Sequence, residues 1–386
     1  MLDYRTAGES HGPALTVLVE GLPAGITVDN AFIDCELARR QGGYGRGGRM
    51  RIERDEVAIL SGVRRGITIG SPVVLQITNR DARLDETPPV HRPRPGHADL
   101  AGSLKWLTVD CRETLERASA RETAARVAAG AMSRCLLRDF GIDAVAYTVQ
   151  IGEVRGEFER SLSADELRRA RDANEAYCPD GAAAERMIEA IRKAKLDKDT
   201  LGGIVEVQIC GHPPGLGSCM RWQEKLDGRI MQAVGSIQAI KGVEIGLGLG
   251  AAGRCGSEIH DPIDFDPTHR HLPSLGFTRR SNNAGGLEGG MTNGMPIVVR
   301  AAMKPISTLL RGMDSVNLLT KKSERSEYER SDICAVPAAG VIVENVVCFE
   351  VARAFLEKFG GDTLREVRAA YENYLAAARS LGGGGL

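Results

Sequence analysis

Lysine is scarce in this 386-residue sequence: ten of its 50 basic residues are Lys, none before Lys105, and the other 40 are Arg. Aromatic residues make up only 4%, and 51 acidic residues leave a formal net charge of −1. Without a basic excess interleaved with aromatics, the composition is no footprint of a general nucleic-acid binder. No stretch approaches the ~18 uncharged apolar residues of a membrane span, so none is expected. Met1–Arg5 have neither the basic nor the apolar region of a secretory leader, and none is expected there. The nine cysteines include no Cys-x-x-Cys pair. That excludes a zinc ribbon and fits reduced thiols in a cytoplasmic protein. No Gly-x-x-x-x-Gly-Lys-Ser/Thr run exists, which removes a P-loop.

The Arg excess could reflect genomic base composition alone, so position carries more meaning than count. At ~150 residues per domain the length allows two or three domains, or one large intertwined one. Repeats and internal linkers are absent. We therefore expect a single intertwined domain over 1–380 and a flexible Gly-rich tail over 381–386.

Apolar and alternating runs predict strands at Ala14–Glu20, Val57–Leu60, Val73–Thr78, Gly203–Cys210 and Pro296–Ala302. Helical periodicity covers Ala164–Ala176, behind a Ser163/Glu166 capping box, and also Ala182–Lys195, Asp227–Ile240 and Ala338–Phe359. Thr363–Leu381 reads as a last helix behind Asp362 as cap. Ser119 and Glu122 form another capping-box pattern, predicting a helix from there to about Phe140, ended by Gly141. Strands and helices do not alternate strictly, so the class is α+β rather than a doubly wound sheet.

Gly248-Leu249-Gly250-Ala251-Ala252-Gly253 matches the dinucleotide fingerprint, but the residues after it cannot open the helix that a pyrophosphate requires. It is not a Rossmann turn. His269 and His271, with Asp261, Asp264 and Asp266, lack metal-ligand spacing and read as surface polar residues, so no metal site is expected. His212 and His91 sit in proline-rich turns as structural or exposed residues.

Four segments point to chemistry. Gly8-Glu9-Ser10-His11-Gly12 places a proton-donating His between glycines that let a ligand approach the backbone. Arg39–Arg51 holds five Arg and five Gly in 13 residues without an acid, an anion-binding loop. Its alternative reading is an RNA-binding Arg-Gly tract. Arg92-Pro93-Arg94-Pro95-Gly96-His97 stiffens two guanidinium forks ahead of a second His. Glu329-Arg330-Ser331-Asp332 sets an acid beside an Arg, which favours its carboxylate form. Together these describe a site for a polyanionic small molecule with acid–base chemistry.

These blocks resemble the chorismate synthase family, over essentially the whole chain. Three signature-like regions stand in order: Gly8–Gly12, Glu116–Ala131 and Arg330–Glu344. Matching segments between them are Arg40–Arg51, Arg94–Gly102, Ser281–Pro296 and Ala301–Thr308. Ile333 departs from the pattern inside the last of these regions, which is expected to leave the chemistry intact, and the tract Trp106–Cys111 is less typical without touching a motif. The resemblance implies a β-α-β sandwich, with antiparallel sheets around a helical layer, and a homotetramer in the cytoplasm. It implies the anti-1,4-elimination of phosphate from 5-enolpyruvylshikimate 3-phosphate to give chorismate. Reduced FMN is required without net oxidation, and NADPH is an optional indirect reductant.

By matching position, His11 would protonate the departing phosphate, His97 would balance the reduced flavin's charge, and Asp332 would manage the proton at flavin N5. Ser10, Arg40, Arg46, Arg94, Ser119, Arg121 and Arg330 would hold the substrate. Arg117, Ala118, Ser119, Gln238, Ala239, Gly289, Lys304, Pro305, Ile306, Ser307, Thr308 and Arg330 would hold the flavin. An NADP-dependent oxidoreductase, the remaining alternative, needs a nicotinamide pocket that the sequence does not display.

Overall fold

The computed structural model describes residues 1–48, 53–159, 162–326, 329 and 331–381. Part of the Arg-Gly loop, Arg330 and the tail from residue 382 therefore lie outside the described residues. Two antiparallel sheets frame the fold. The first comprises β1 (Asp3–Ala7), β2 (Ala14–Glu20), β3 (Ala58–Ser61) and β4 (Val73–Thr78) in the order β1-β2-β4-β3. The second comprises β5 (Asp143–Ile151), β6 (Val154–Arg155), β7 (Gly203–Cys210), β8 (Ile240–Ile245) and β9 (Ile297–Met303) in the order β8-β9-β7-β5-β6. Alternation explains the inner faces: Leu15, Val17 and Val19 of β2 and Val73, Leu75 and Ile77 of β4 are buried on one side. Val205, Val207 and Ile209 of β7 do the same in the second sheet.

Nine helices of six residues or more are described: α1 (Asn30–Gln41), α2 (Asp99–Lys105), α3 (Arg112–Arg117), α4 (Thr123–Arg138), α5 (Ala164–Asp172), α6 (Gly181–Leu196), α7 (Leu226–Gly235), α8 (Val336–Phe359) and α9 (Leu364–Ser380). α4 packs on the first sheet and α8 on the second, and the two helices pack on each other, so the layers run sheet, helices, sheet. Both helices are buried nearly all round, as a central layer requires. They cross at Gly130, where an added Cβ would stand 2.3 Å from the carbonyl oxygen of Asn345. A buried ionic cluster locks α1 to this crossing. Arg134 bonds Glu36 at 2.8 Å and Glu344 at 2.9 Å, and Arg39 reaches the same two acids. The main apolar cluster is drawn from both sheets and the helices between them, with two smaller ones around Cys111 and Tyr147. Among the described residues no helix is long and apolar enough to cross a membrane.

The expected α+β sandwich is what is observed, and several boundaries shift for local reasons. Ser119 caps a 3-10 turn (Ala120–Glu122) rather than a capping box, because the Glu122 side chain is drawn to Thr6, Arg126 and Gln238. The α-helix begins only at Thr123 and ends at Arg138. The helix expected to Ile240 stops at Gly235, and Ile240 instead opens β8 beside β9. The helix after Ser163 ends at Asp172, although its capping box forms as read. The last helix is capped by Thr363 with Glu366, not by Asp362. Gly248–Ala251 form a 3-10 turn followed by a single helical turn at Gly256–Ile259, so no Rossmann helix is present there. His269 and His271 are exposed, and no metal-holding cluster occurs among the described residues.

Candidate active site

The turn from β1 to β2 presents the first functional loop. Gly8 (φ +106) must be glycine, since a Cβ would meet the Ala14 carbonyl oxygen at 2.3 Å. That tight turn delivers Ser10 and His11 against the end of α3. The Ser10 amide donates to the Glu116 carbonyl (3.1 Å), and the His11 amide donates to Glu116 Oε2 (2.8 Å). His11 Nδ1 lies 2.9 Å from both oxygens of the buried Glu116 carboxylate. A carboxylate only accepts, which assigns the proton to Nδ1 and leaves Nε2 for other work. Asp81 Oδ2 stands 3.7 Å from that Nε2. Burial pushes the Glu116 pKa up, but the hydrogen bond and charge of His11, with help from Arg112, bring it net below the ordinary value. Arg112 reaches on to Glu329 (3.0 Å), tying this pair to the segment that carries Asp332.

Ser119 donates its hydroxyl to Ser10 Oγ at 3.2 Å and accepts the amide of Arg121. The Arg121 guanidinium is buried and grips Asp55 at 2.6 and 2.8 Å, with Nε on Asn79. Arg40, at the end of α1, bonds the same Asp55 at 2.8 Å. Two buried guanidiniums thus share one carboxylate as their hydrogen-bonded acid. Burial, with the charges of Arg121 and Arg46 nearby, pulls the Arg40 pKa down to about 10 against the pull of Asp55. Arg40 Nε and Arg121 Nη2 are buried without a hydrogen-bond acceptor among the described residues. The buried Glu53 carboxylate lies 3.9 Å from Arg121 Nη2, too far for a hydrogen bond, so the two acids balance the charge but leave these nitrogens without acceptors, as an anion receptor requires.

Arg46 pairs with Asp332 at 2.6 Å, and Asp332 also accepts the Gly47 amide at 2.6 Å. Gly45 (φ +97) and Gly47 let this loop lie flat on residues 331–334, where a Cβ on Gly47 would stand 2.9 Å from Ser331 O.

A second group assembles around the start of α2. Arg94 Nε bonds the buried Asp99 at 2.8 Å and Nη1 bonds Thr308 at 3.0 Å, so this guanidinium is committed within the chain. His97 Nδ1 also bonds Asp99. Burial raises the Asp99 pKa, yet the hydrogen bonds from His97 and Arg94 hold it well below the usual carboxylate range. Lys304 donates to the Gly96 carbonyl at 2.6 Å, and its own amide donates to Ala239 O at 2.9 Å. Ala239 holds φ +66, a left-handed geometry rare outside glycine. Its neighbour Gln238 donates to Glu122, which also accepts from Thr6, and Thr6 accepts from Arg117. The segments 94–97, 117–119, 238–239 and 304–308 are therefore stitched into one wall.

Among the described residues no hydrogen bond ties Gly289 to that wall. This glycine stands beside Gly290, whose carbonyl accepts the Leu226 amide at the start of α7, while Gln238 follows the opposite end of that helix. Ten helical residues span about 15 Å.

With this geometry in view, comparison with known proteins is informative. The family model described as chorismate synthase matches residues 2–356. The chain belongs to the chorismate synthase family. The Geobacter sulfurreducens chorismate synthase is 54% identical over 98% of this chain and 100% of its own length. That of Desulforudis audaxviator is 52% identical, with both chains covered fully. A solved structure titled "Crystal Structure of Chorismate Synthase" aligns with a TM-score of 0.81 at 41% identity, covering 98% of this chain and 99% of the other.

Within this chorismate synthase fold, the supporting acids Asp55, Asp99 and Glu116 were not singled out from sequence, and Glu122 was read only as a capping-box partner of Ser119. Signals existed. Glu53 and Asp55 alternate directly behind an acid-free Arg-Gly loop, and Arg112 and Glu116 are an i, i+4 pair. Which cation each acid would meet depended on residues up to 105 positions away.

Proposed function

We propose that this chain catalyses the anti-1,4-elimination of phosphate from 5-enolpyruvylshikimate 3-phosphate, giving chorismate with reduced FMN bound and no net redox change. The observation that carries the reading is the Arg40–Asp55–Arg121 cluster beside the Ser10–Ser119 and His11–Glu116 pairs. Its unmatched guanidinium nitrogens suit a phosphate or carboxylate. The residues also fit a flavin: the Gln238 amide oxygen is buried without a donor among the described residues, in the wall that also carries the exposed Arg117 and the Lys304–Thr308 segment.

In this reading Arg40, Arg46 and Arg121, with Ser10 and Ser119, hold the anionic groups of the substrate, and Arg330 belongs to the same set. Arg94 acts through Asp99, fixing the ring of His97. His11, protonated on both nitrogens and oriented through Nδ1–H by Glu116, gives the Nε2 proton to the leaving phosphate, whose charge would otherwise develop unshielded. His97 balances charge near the flavin, and Asp332, held by Arg46 and the Gly47 amide, handles the proton at N5. The chemistry that reduced FMN supplies when bound is transient electron density for breaking the C–O bond, returned as the C6 hydrogen leaves. A cytoplasmic homotetramer belongs to this proposal, with Gly289 completing the flavin contacts of a neighbouring copy, and so does NADPH as indirect reductant. The deciding experiment is anaerobic phosphate release with pre-reduced FMN, run beside NADPH plus FMN. Absence of turnover with fully reduced cofactor overturns the assignment.

A further inference from the structure

Glu122 is 5% exposed and its carboxylate is crowded with donors. Thr6 Oγ1 approaches at 2.7 Å, Arg126 Nε at 2.9 Å and Gln238 Nε2 at 3.1 Å. A carboxylate offers no hydrogen, so it selects the amide nitrogen of Gln238 and turns the amide oxygen the other way. That oxygen is buried and meets no donor among the described residues. Such an orphan acceptor is uncommon in a folded chain and calls for a partner. The same carboxylate anchors Thr6, whose oxygens take the Arg117 guanidinium at 3.0 Å, and the strained Ala239 follows directly. Two segments that the flavin reading assigns to the cofactor, 117–119 and 238–239, therefore meet around one buried acid.

We propose that Glu122 is a positioning residue that locks the Gln238 amide so that its oxygen accepts the imide N–H of the flavin. This rests on the flavin reading above. Oxidised FMN carries a single ring N–H, at N3, so the partner is defined by elementary chemistry. Gln238 without Glu122 could rotate its amide and offer two hydrogens instead, against which an imide N–H is repelled.

The test compares oxidised FMN with its 3-methyl derivative, titrated into the full-length chain and followed by flavin fluorescence. Wild type is expected to bind FMN about tenfold more tightly than the methylated analogue, the scale of one hydrogen bond with an otherwise orphaned partner. Glu122→Gln and Gln238→Met should each bring the two ligands within about twofold. Gln238→Met leaves the Glu122 network with Thr6 and Arg126 in place, and decides the matter if Glu122→Gln does not fold. A wild type that treats both ligands alike, or a Gln238→Met variant that keeps the tenfold preference, overturns the inference while leaving flavin binding intact. No binding of either flavin by wild type overturns the flavin reading itself.

Discussion

Replacing Glu116 with Gln should remove most of the turnover while leaving substrate binding nearly unchanged. The wild-type carboxylate serves three donors: His11 Nδ1 at 2.9 Å, the His11 amide at 2.8 Å and Arg112 at 3.3 Å. Gln keeps one accepting oxygen and must aim its NH2 at one of those donors. If the NH2 faces His11, the Nδ1–H of the proton-donating ring loses its acceptor and the ring its orientation. If it faces Arg112, a buried cation loses its partner. A charge-assisted bond of this kind is worth about 1.5–3 kcal/mol, and an acid held in its working orientation about 10²–10⁴ in rate. We expect kcat to fall roughly 10²- to 10³-fold with KM altered less than about threefold, since the guanidiniums that hold the anions lie elsewhere. Anaerobic phosphate release with pre-reduced FMN measures both. In a His11→Ala background the same change should do little more, because the two residues act as one unit. A Glu116→Gln enzyme within threefold of wild-type kcat would refute the assigned role.

Arg121→Lys should raise the substrate KM at least about tenfold, because a point charge cannot replace the fork that spans Asp55 and Asn79. An unchanged KM in steady-state assays would place the anion elsewhere. Gly130→Ala should cost about 2 kcal/mol or more in urea unfolding, since the new methyl meets backbone of α8 at 2.3 Å where nothing flexible can yield. A loss under 0.5 kcal/mol would contradict that crossing. Acid should weaken the fold through Glu36. Burial opposes its charge, but Arg134 and Arg39 hold its pKa down at about 2 from 4.5. A depressed carboxylate contributes stability that is complete above about pH 4.5 and lost as pH falls toward 2. Glu36→Gln should flatten the stability–pH slope in that window, and an unaltered slope counts against the pairing.

Much of the site was legible because its chemistry is written in local runs. The Gly8–Gly12 turn, the Arg-Gly loop and the Arg94–His97 stretch each carry residue types whose spacing already limits what they can do. Strand β5 was less legible. Its Asp143–Ile151 run is buried on both faces, with Val145, Tyr147 and Val149 under Leu167, so the period-two signal that marks a half-buried strand is lost. The capping box at Ser119 misled for a related reason. Glu122 had better partners in Thr6 and Gln238, brought close only by the packed fold.

By itself the sequence determined which groups are available: fixed Arg charges, two histidines set beside glycines, and apolar stripes that demand a layered α+β core. It also determined that the Gly248–Gly253 turn could not open a long helix. The tertiary structure alone decided how those charges are paired. Asp55 lies between Arg40 and Arg121, Glu116 under His11, and Glu122 against Gln238. Composition counts charges, whereas the strength of a buried ion pair depends on distances of a few ångströms and on the water removed around them. Those are set by the sheets and the central helices folding together.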